Sequence, residues 1–389
     1  MREVQEFRPE APLIPDRAHP SCRAIVILPA RNEEGSLASA LDALAGQVDE
    51  FGRLLSPETF EILLLLNNCT DGSAHVARRW KTANPSIHLH VIELDLAMDC
   101  AHLGVVRRLL MDTAWHRLPS SCAGIWAILS TDSDTLVAAD WIMQNLRALE
   151  RGADAVGGAI RLKHGELELL PAGARRAYQR DRRYQRLVAE LEDLLDPQPG
   201  DRWPRHLEHF GASLACTTQA YVRAGGMPPV RSLEDVAFVD ALRRVNARLR
   251  HDPGVVVYTS SRFDGRAEIG LSYQLRVWQQ MSVAGEEHHV LSAAWLVHRF
   301  RTLRYLRQIH AQGEPADSSV HSKSWRDRIM RARTRDNSVA AFLREMDCDR
   351  LIEETFEGER ESEILRVNRH LARTISRMRS ARASAAVTA

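Results

Sequence analysis

Apolar positions along the chain fall into short uncharged blocks, each closed by a polar turn. Ala24-Ile25-Val26-Ile27-Leu28, followed by Pro29, reads as a first strand buried on both faces. Glu61–Leu66 is a second run of this kind, and Gly124-Ile125-Trp126-Ala127-Ile128-Leu129 is a third. Between them, Leu37–Gln47, Ala74–Lys81 and His102–Arg117 have helical spacing, and Ile87–Leu94 alternates like a more exposed strand. Later blocks predict strands over 153–160, 210–215 and 254–258, with helices over 138–150, 172–195 and from Ser232 to about Arg248. Strands alternating with helices argue for a doubly wound α/β sheet.

From about Ile269 onward the spacing is helical, with a break at Gly313–Ser319. In the last strong segment Ile364, Val367, Leu371, Ile375 and Met378 share one face. This stripe is narrow and holds no aromatic residue, so packing on the protein's own body or on a dimer partner is expected ahead of a membrane surface. Helix 172–195 carries Arg175, Arg176, Arg180, Arg182, Arg183 and Arg186, which read as a solvated face with i,i+4 pairs. Residues 381–389 look frayed.

Composition narrows the class. A chain of 389 residues is long enough for two domains, or for one large α/β domain with additions. A net charge of +1 argues against a nucleic-acid partner held by bulk charge. The six cysteines are scattered, with no Cys-X-X-Cys pair, which suggests neither a zinc site nor a disulfide framework and fits a reducing cytosol. Residues 1–20 are charged and Pro-rich rather than signal-like, and no run approaches the roughly 18 apolar residues of a membrane span. A cytoplasmic protein with no membrane span and no nucleic-acid partner is expected.

Chemistry gathers at the strand ends. The third buried run stops at Thr131-Asp132-Ser133-Asp134, which sets Asp132 and Asp134 at the crevice where open α/β sheets bind ligands. Two hard oxygen ligands with no Cys or His nearby suit Mg²⁺ or Mn²⁺ shared with substrate phosphates. The alternative is an Asx turn in which both carboxylates cap the helix from Ala138. The first strand leads into Pro29-Ala30-Arg31-Asn32-Glu33-Glu34, and the second into Asn67-Asn68-Cys69-Thr70-Asp71-Gly72-Ser73. Glu234-Asp235 opens a helix, where acidic residues either favour the helix dipole or supply a general base. Arg262 and Arg266 follow the strand at 254–258 and suit either diphosphate oxygens or surface pairing with Asp264. His209 and His251 read as structural, and Glu286-Glu287-His288-His289 as a surface run.

Taken in order, these turns resemble a family-2 glycosyltransferase of the GT-A fold, over about residues 22–270. The resemblance implies a GT-A-like doubly wound mixed sheet with a C-terminal helical extension. It divides the chain into an N-terminal extension (1–21), a catalytic domain (22–270), a helical region (271–380) and a disordered tail (381–389). Within the catalytic domain, 22–160 would bind the nucleotide sugar and 161–270 the acceptor. It further implies that Pro29, Ala30, Arg31 and Glu33 line the base and ribose, with Asn67, Asn68 and Asp71 on their polar edges. Asp132 would sit near ribose or metal, Asp134 would ligate Mg²⁺ or Mn²⁺, and Arg262 and Arg266 would meet the diphosphate. Asp235 would act as base in an inverting transfer, with Glu234 orienting the acceptor. The donor would be UDP- or GDP-linked, and the acceptor a hydroxyl on a small molecule or a lipid-linked saccharide.

Two departures stand out. Arg31 replaces a usual aromatic residue, and Asn67-Asn68 replaces a usual pair of aspartates. The Gln-X-X-Arg-Trp motif of processive synthases is missing, which implies single addition. A nucleotidyltransferase and a catalytically silent sugar-nucleotide-binding protein are the alternatives.

Overall fold

The computed structural model describes residues 8–119, 124–263, 270–312, 329, 332 and 338–388. Packing divides the chain into two units, Met1–Leu169 with Glu208–Gln274, and Leu170–Leu207 with Leu275–Ala389.

The first unit is built on an eight-stranded mixed sheet. Its strands are β1 (Ala24–Ala30), β2 (Phe60–Asn67), β3 (Leu89–Leu94), β4 (Ala127–Ser130), β5 (Leu136–Val137), β6 (Ala155–Leu162), β7 (Leu214–Thr217) and β8 (Leu249–Thr259), in the order β3-β2-β1-β4-β7-β6-β8-β5. Strands β3, β2, β1 and β4 run parallel, β7 is antiparallel to both β4 and β6, and β8 runs parallel to β6.

The period-2 geometry of a strand sorts β1 between two cores. Val26 and Leu28 face helices α1 (Leu37–Ala45), α2 (Ser73–Ala83) and α4 (Trp141–Glu150) through Leu41, Trp80 and Trp141. Ile25 and Ile27 face α3 (Leu103–Arg117), α7 (Thr218–Arg223) and α8 (Glu234–Arg244) through Leu110, Tyr221 and Phe238. Helices therefore cover both faces, and the α/β class, the mixed sheet and a helical C-terminal region are as expected.

An ion pair lies buried inside this sandwich. Glu61 of β2 is 3% exposed and accepts from Arg117 Nη2 at 2.6 Å and Nε at 3.0 Å. Burial alone would raise its pKa, but His90 and Arg117 hold it down at about 2.

Some elements differ from the sequence reading. The 210–215 block is a 3₁₀ turn, Gly211–Ser213, before β7. Strand β8 begins five residues before Gly254 and carries Pro253 inside it. Pairing with β6 jumps from Gly158↔Asp252 to Ala159↔Val256, a bulge that takes Pro253 out of the ladder. Helix α4 starts at Trp141 because Leu136–Val137 pairs with β8.

In the second unit, α6 (Ala172–Leu195) and α10 (Ala293–Gln312) pack with the helix Ile364–Thr388. Its core joins Leu187 and Leu191 to Trp295 and Leu306 and to Ile364, Val367, Leu371 and Ile375. The apolar stripe expected to meet the protein's own body or a dimer partner is thus buried within this unit. The helix continues to Thr388, through most of the stretch expected to fray. The expected break at 313–319 lies outside the described residues. Among the described residues no helix is long and apolar enough to cross a membrane.

Candidate active site

The turns after β1 and β2 are stitched to each other. Asn32, in the left-handed region at φ 56°, accepts the Thr70 amide on Oδ1 at 2.7 Å. Glu34 N–H donates to Asp71 Oδ2 at 3.0 Å, and Gly72 N–H returns a bond to Glu34 Oε2 at 3.0 Å. Asp71 Oδ1 also accepts the Ser73 amide and hydroxyl at 3.0 and 2.6 Å, so its carboxylate organises the entry to α2. Asn68 acts as a peptide mimic, donating to Leu96 O at 2.9 Å and accepting from Leu96 N at 3.1 Å. Pro29 and Ala30 are buried in β1.

Asn67 and Arg31 converge on the entry to α3. Asn67 Nδ2 donates to Ala101 O at 3.5 Å, and Arg31 Nη1 reaches the same carbonyl at 3.4 Å. Asn67 Oδ1, Thr131 Oγ1 and His102 Nδ1 are buried without a hydrogen-bond partner among the described residues. Unsatisfied polar atoms are costly in a closed core but suit a place where a polar ligand enters.

The centre is an arginine that the sequence reading did not single out. Arg107 of α3 is 2% exposed. Its Nη2 donates to Asp132 Oδ1 at 2.5 Å, and its Nη1 donates to Glu234 Oε1. One planar guanidinium therefore joins the end of β4 to the start of α8. Gly211 makes this possible: a Cβ there would collide with the Arg107 guanidinium. The Gly211 amide donates to Asp235 Oδ2 at 2.8 Å, and the Val236 amide donates to Asp235 Oδ1 at 2.8 Å. Leu233, just before α8, holds φ at 56°, a conformation costing roughly 1 kcal/mol or more for such a side chain.

Asp134 and Arg262 form a second pair at 2.6 Å, with Glu33 Oε1 3.6 Å from the same Nη2. Lys163 Nζ donates to the Asp134 carbonyl at 3.0 Å. Neither Asp132 nor Asp134 caps α4, whose N-cap is Asp140. The cluster brings together Glu33, Asp132, Asp134, Glu234, Asp235 and Arg262. Asp71 and Asn68 serve the turns, and Arg266 lies outside the described residues. His209 Nδ1 and His251 Nε2 are 3.1 Å apart and contact each other.

Burial pushes the Asp132 carboxyl up to about 6; Arg107 opposes the rise, while Asp134, Glu234 and Asp235 add to it. A carboxyl raised by folding stabilises the fold in its protonated form. That contribution is complete below the unfolded value, about 3.9, and is lost as pH rises through about 6. Thermal melts should therefore show Asp132→Asn gaining on the parent protein as pH goes from about 4 to 7. A melting-temperature difference that stays flat across this window would contradict the assignment.

Both aspartates retain an oxygen not engaged by arginine, since Arg107 takes Asp132 Oδ1 and Arg262 takes Asp134 Oδ2. No group of three or more His, Cys, Asp or Glu among the described residues is arranged to hold a metal by itself. Two carboxylates with the remaining positions left to substrate and water is a donor set that fits Mg²⁺ or Mn²⁺.

No protein-family model matches the chain, and no curated protein matches it. Among solved structures it is similar to a mannosyltransferase, PcManGT from Pyrobaculum calidifontis in complex with GDP-Man and Mn²⁺, at 17% identity. That likeness covers 88% of this chain and 90% of the other, with a TM-score of 0.42. TarS 1–349 of S. aureus in complex with UDP is 13% identical over 86% of this chain and 90% of its own, with a TM-score of 0.42. Glucosyl-3-phosphoglycerate synthase from Mycobacterium tuberculosis in complex with UDP is 17% identical over 70% and 83%, with a TM-score of 0.36. All three fall below 20% identity and below a TM-score of 0.5.

Proposed function

We propose that this protein is a glycosyltransferase of the family-2, GT-A type, moving one sugar from a UDP- or GDP-linked donor to a hydroxyl acceptor. The acceptor would be a small molecule or a lipid-linked saccharide. The observation that carries this reading is the Asp132–Arg107–Glu234 bridge, which ties the paired aspartates of β4 to the acidic start of α8. A phosphate-bearing leaving group and a base to activate an incoming hydroxyl are needed on facing walls of one cleft, and this arrangement supplies candidates for both.

The donor would lie across the ends of β1, β2 and β4. Asn67 and Arg31 would lie at the base side, and the unpartnered Asn67 Oδ1 offers an acceptor for a ring N–H. Arg262 would bind phosphate oxygens once it exchanges Asp134 for them. Asp134 and Asp132 would hold Mg²⁺ or Mn²⁺, which when bound neutralises charge on the departing diphosphate. Glu234 fixes Arg107, and Arg107 fixes Asp132, so both are positioning residues. Asp235 takes the acceptor proton as the hydroxyl attacks, giving inversion.

Two backbone amides donate to the Asp235 carboxylate and fix its position at the start of α8. Asp235→Asn should accordingly lower kcat about a hundredfold, the low end for a positioned base, with little change in donor KM. Assays with a panel of sugar nucleotides, acceptors and Mn²⁺ should release nucleoside diphosphate. Release of pyrophosphate from a nucleoside triphosphate would instead make the protein a nucleotidyltransferase. Donor binding without turnover on any acceptor would make it a silent binding protein.

A further inference from the structure

Away from this cleft, the second unit carries a basic concavity of about 480 Å³ between α6 and the helix Ile364–Thr388, lined by Arg176, Gln179, Arg180, Arg183, Asn368 and Arg369, with Leu365 at its edge. The i,i+4 pairing expected of this face of α6 is not there. Four residues after Arg176, Arg180 and Arg183 stand Arg180, Tyr184 and Leu187, so one stripe stacks like charges with no carboxylate in reach along the helix. Arg176, Arg180, Arg183 and Arg369 make no ion pair with any described residue. Stacked like charge destabilises a helix, and here a second helix adds Arg369 to the same hollow rather than an acid to neutralise it.

The wall is also held in place. Asn368 is 4% exposed and donates through Nδ2 to the Arg180 carbonyl at 3.0 Å, locking the two helices together across the hollow. Its Oδ1 is buried without a partner among the described residues. Four arginines lining one hollow complement an anion with several oxygens. Guanidinium forks match phosphate oxygens in pairs.

We infer that this concavity binds a phosphoryl group, either on a soluble phosphate compound or on the headgroup of an anionic lipid. The inference stands independently of the reading of the catalytic cleft. The test uses the full chain and the triple variant Arg176→Gln/Arg180→Gln/Arg369→Gln, which removes charge from exposed or half-exposed positions while keeping good helix formers. Arg262→Gln runs in parallel, because pyrophosphate can also enter the cleft. Inorganic pyrophosphate is titrated by calorimetry, and capture is measured on phosphatidylcholine vesicles with and without phosphatidic acid.

If the source is soluble, the triple variant loses a pyrophosphate site, its affinity falling at least about tenfold, that Arg262→Gln retains. If the source is lipid, pyrophosphate binding is unchanged and capture on phosphatidic acid vesicles is lost in the triple variant alone. Failure of the parent protein to bind either probe, or a triple variant matching it on both, overturns the inference. Circular dichroism melts confirm that the triple variant is folded.

Discussion

Asp134→Asn should slow nucleoside diphosphate release by about a thousandfold while leaving the fold intact. Asn keeps the shape and can still accept from Arg262, so the pair at 2.6 Å is weakened rather than left as a buried orphan charge. What disappears is one of two anionic oxygens able to hold a divalent cation against a diphosphate. Charge stabilisation of a departing phosphate is worth several kcal/mol, and each 1.36 kcal/mol is a factor of ten in rate. The loss should fall on kcat, and raising Mn²⁺ should recover little of it. A variant within tenfold of the parent protein would mean that Asp134 is only the partner of Arg262.

Arg107→Met should destabilise the first unit by about 3–5 kcal/mol, read as a lower urea midpoint with an unchanged m-value. Methionine fills much of the arginine stem, so packing loss is small. The cost comes from charge: Glu234 is 5% exposed and would be left beside Asp132 with no cation between them. Arg107→Lys should fall between, because a single ammonium cannot reach two carboxylates with a rigid fork. A shift below about 1 kcal/mol for Arg107→Met would show that the two acids neutralise each other by sharing a proton.

The unequal legibility of the chain has a physical basis. Strands β1, β2 and β4 are readable because burial on both faces leaves them almost no polar residues, and their polar turns mark where the sheet stops. Asp132, Asp134, Glu234 and Asp235 stand out as acids at element ends. Arg107 does not, because Arg107-Arg108 in a helix of 3.6-residue period looks like a solvated face. In the fold α3 lies beneath other elements: Arg107 and Arg108 are 2% and 8% exposed, and Arg108 pairs with Asp112 at 2.8 Å. The signal available was the lack of a clearly apolar face on a helix that must cover a sheet. The bulge in β8 was readable in part, since Pro253 cannot donate to a ladder, but its position depends on the β6 register. Asp71 is a different case: an acid at a strand end whose oxygens are engaged by neighbouring amides, which sequence alone does not reveal.

Calorimetric titration of UDP and GDP, each with and without Mn²⁺, tests the central claim most directly. Saturable binding of at least one nucleotide that requires Mn²⁺ and vanishes in Asp134→Asn is the predicted result. Equal affinity without the cation, or binding indifferent to that substitution, would contradict a metal-held diphosphate at the end of β4.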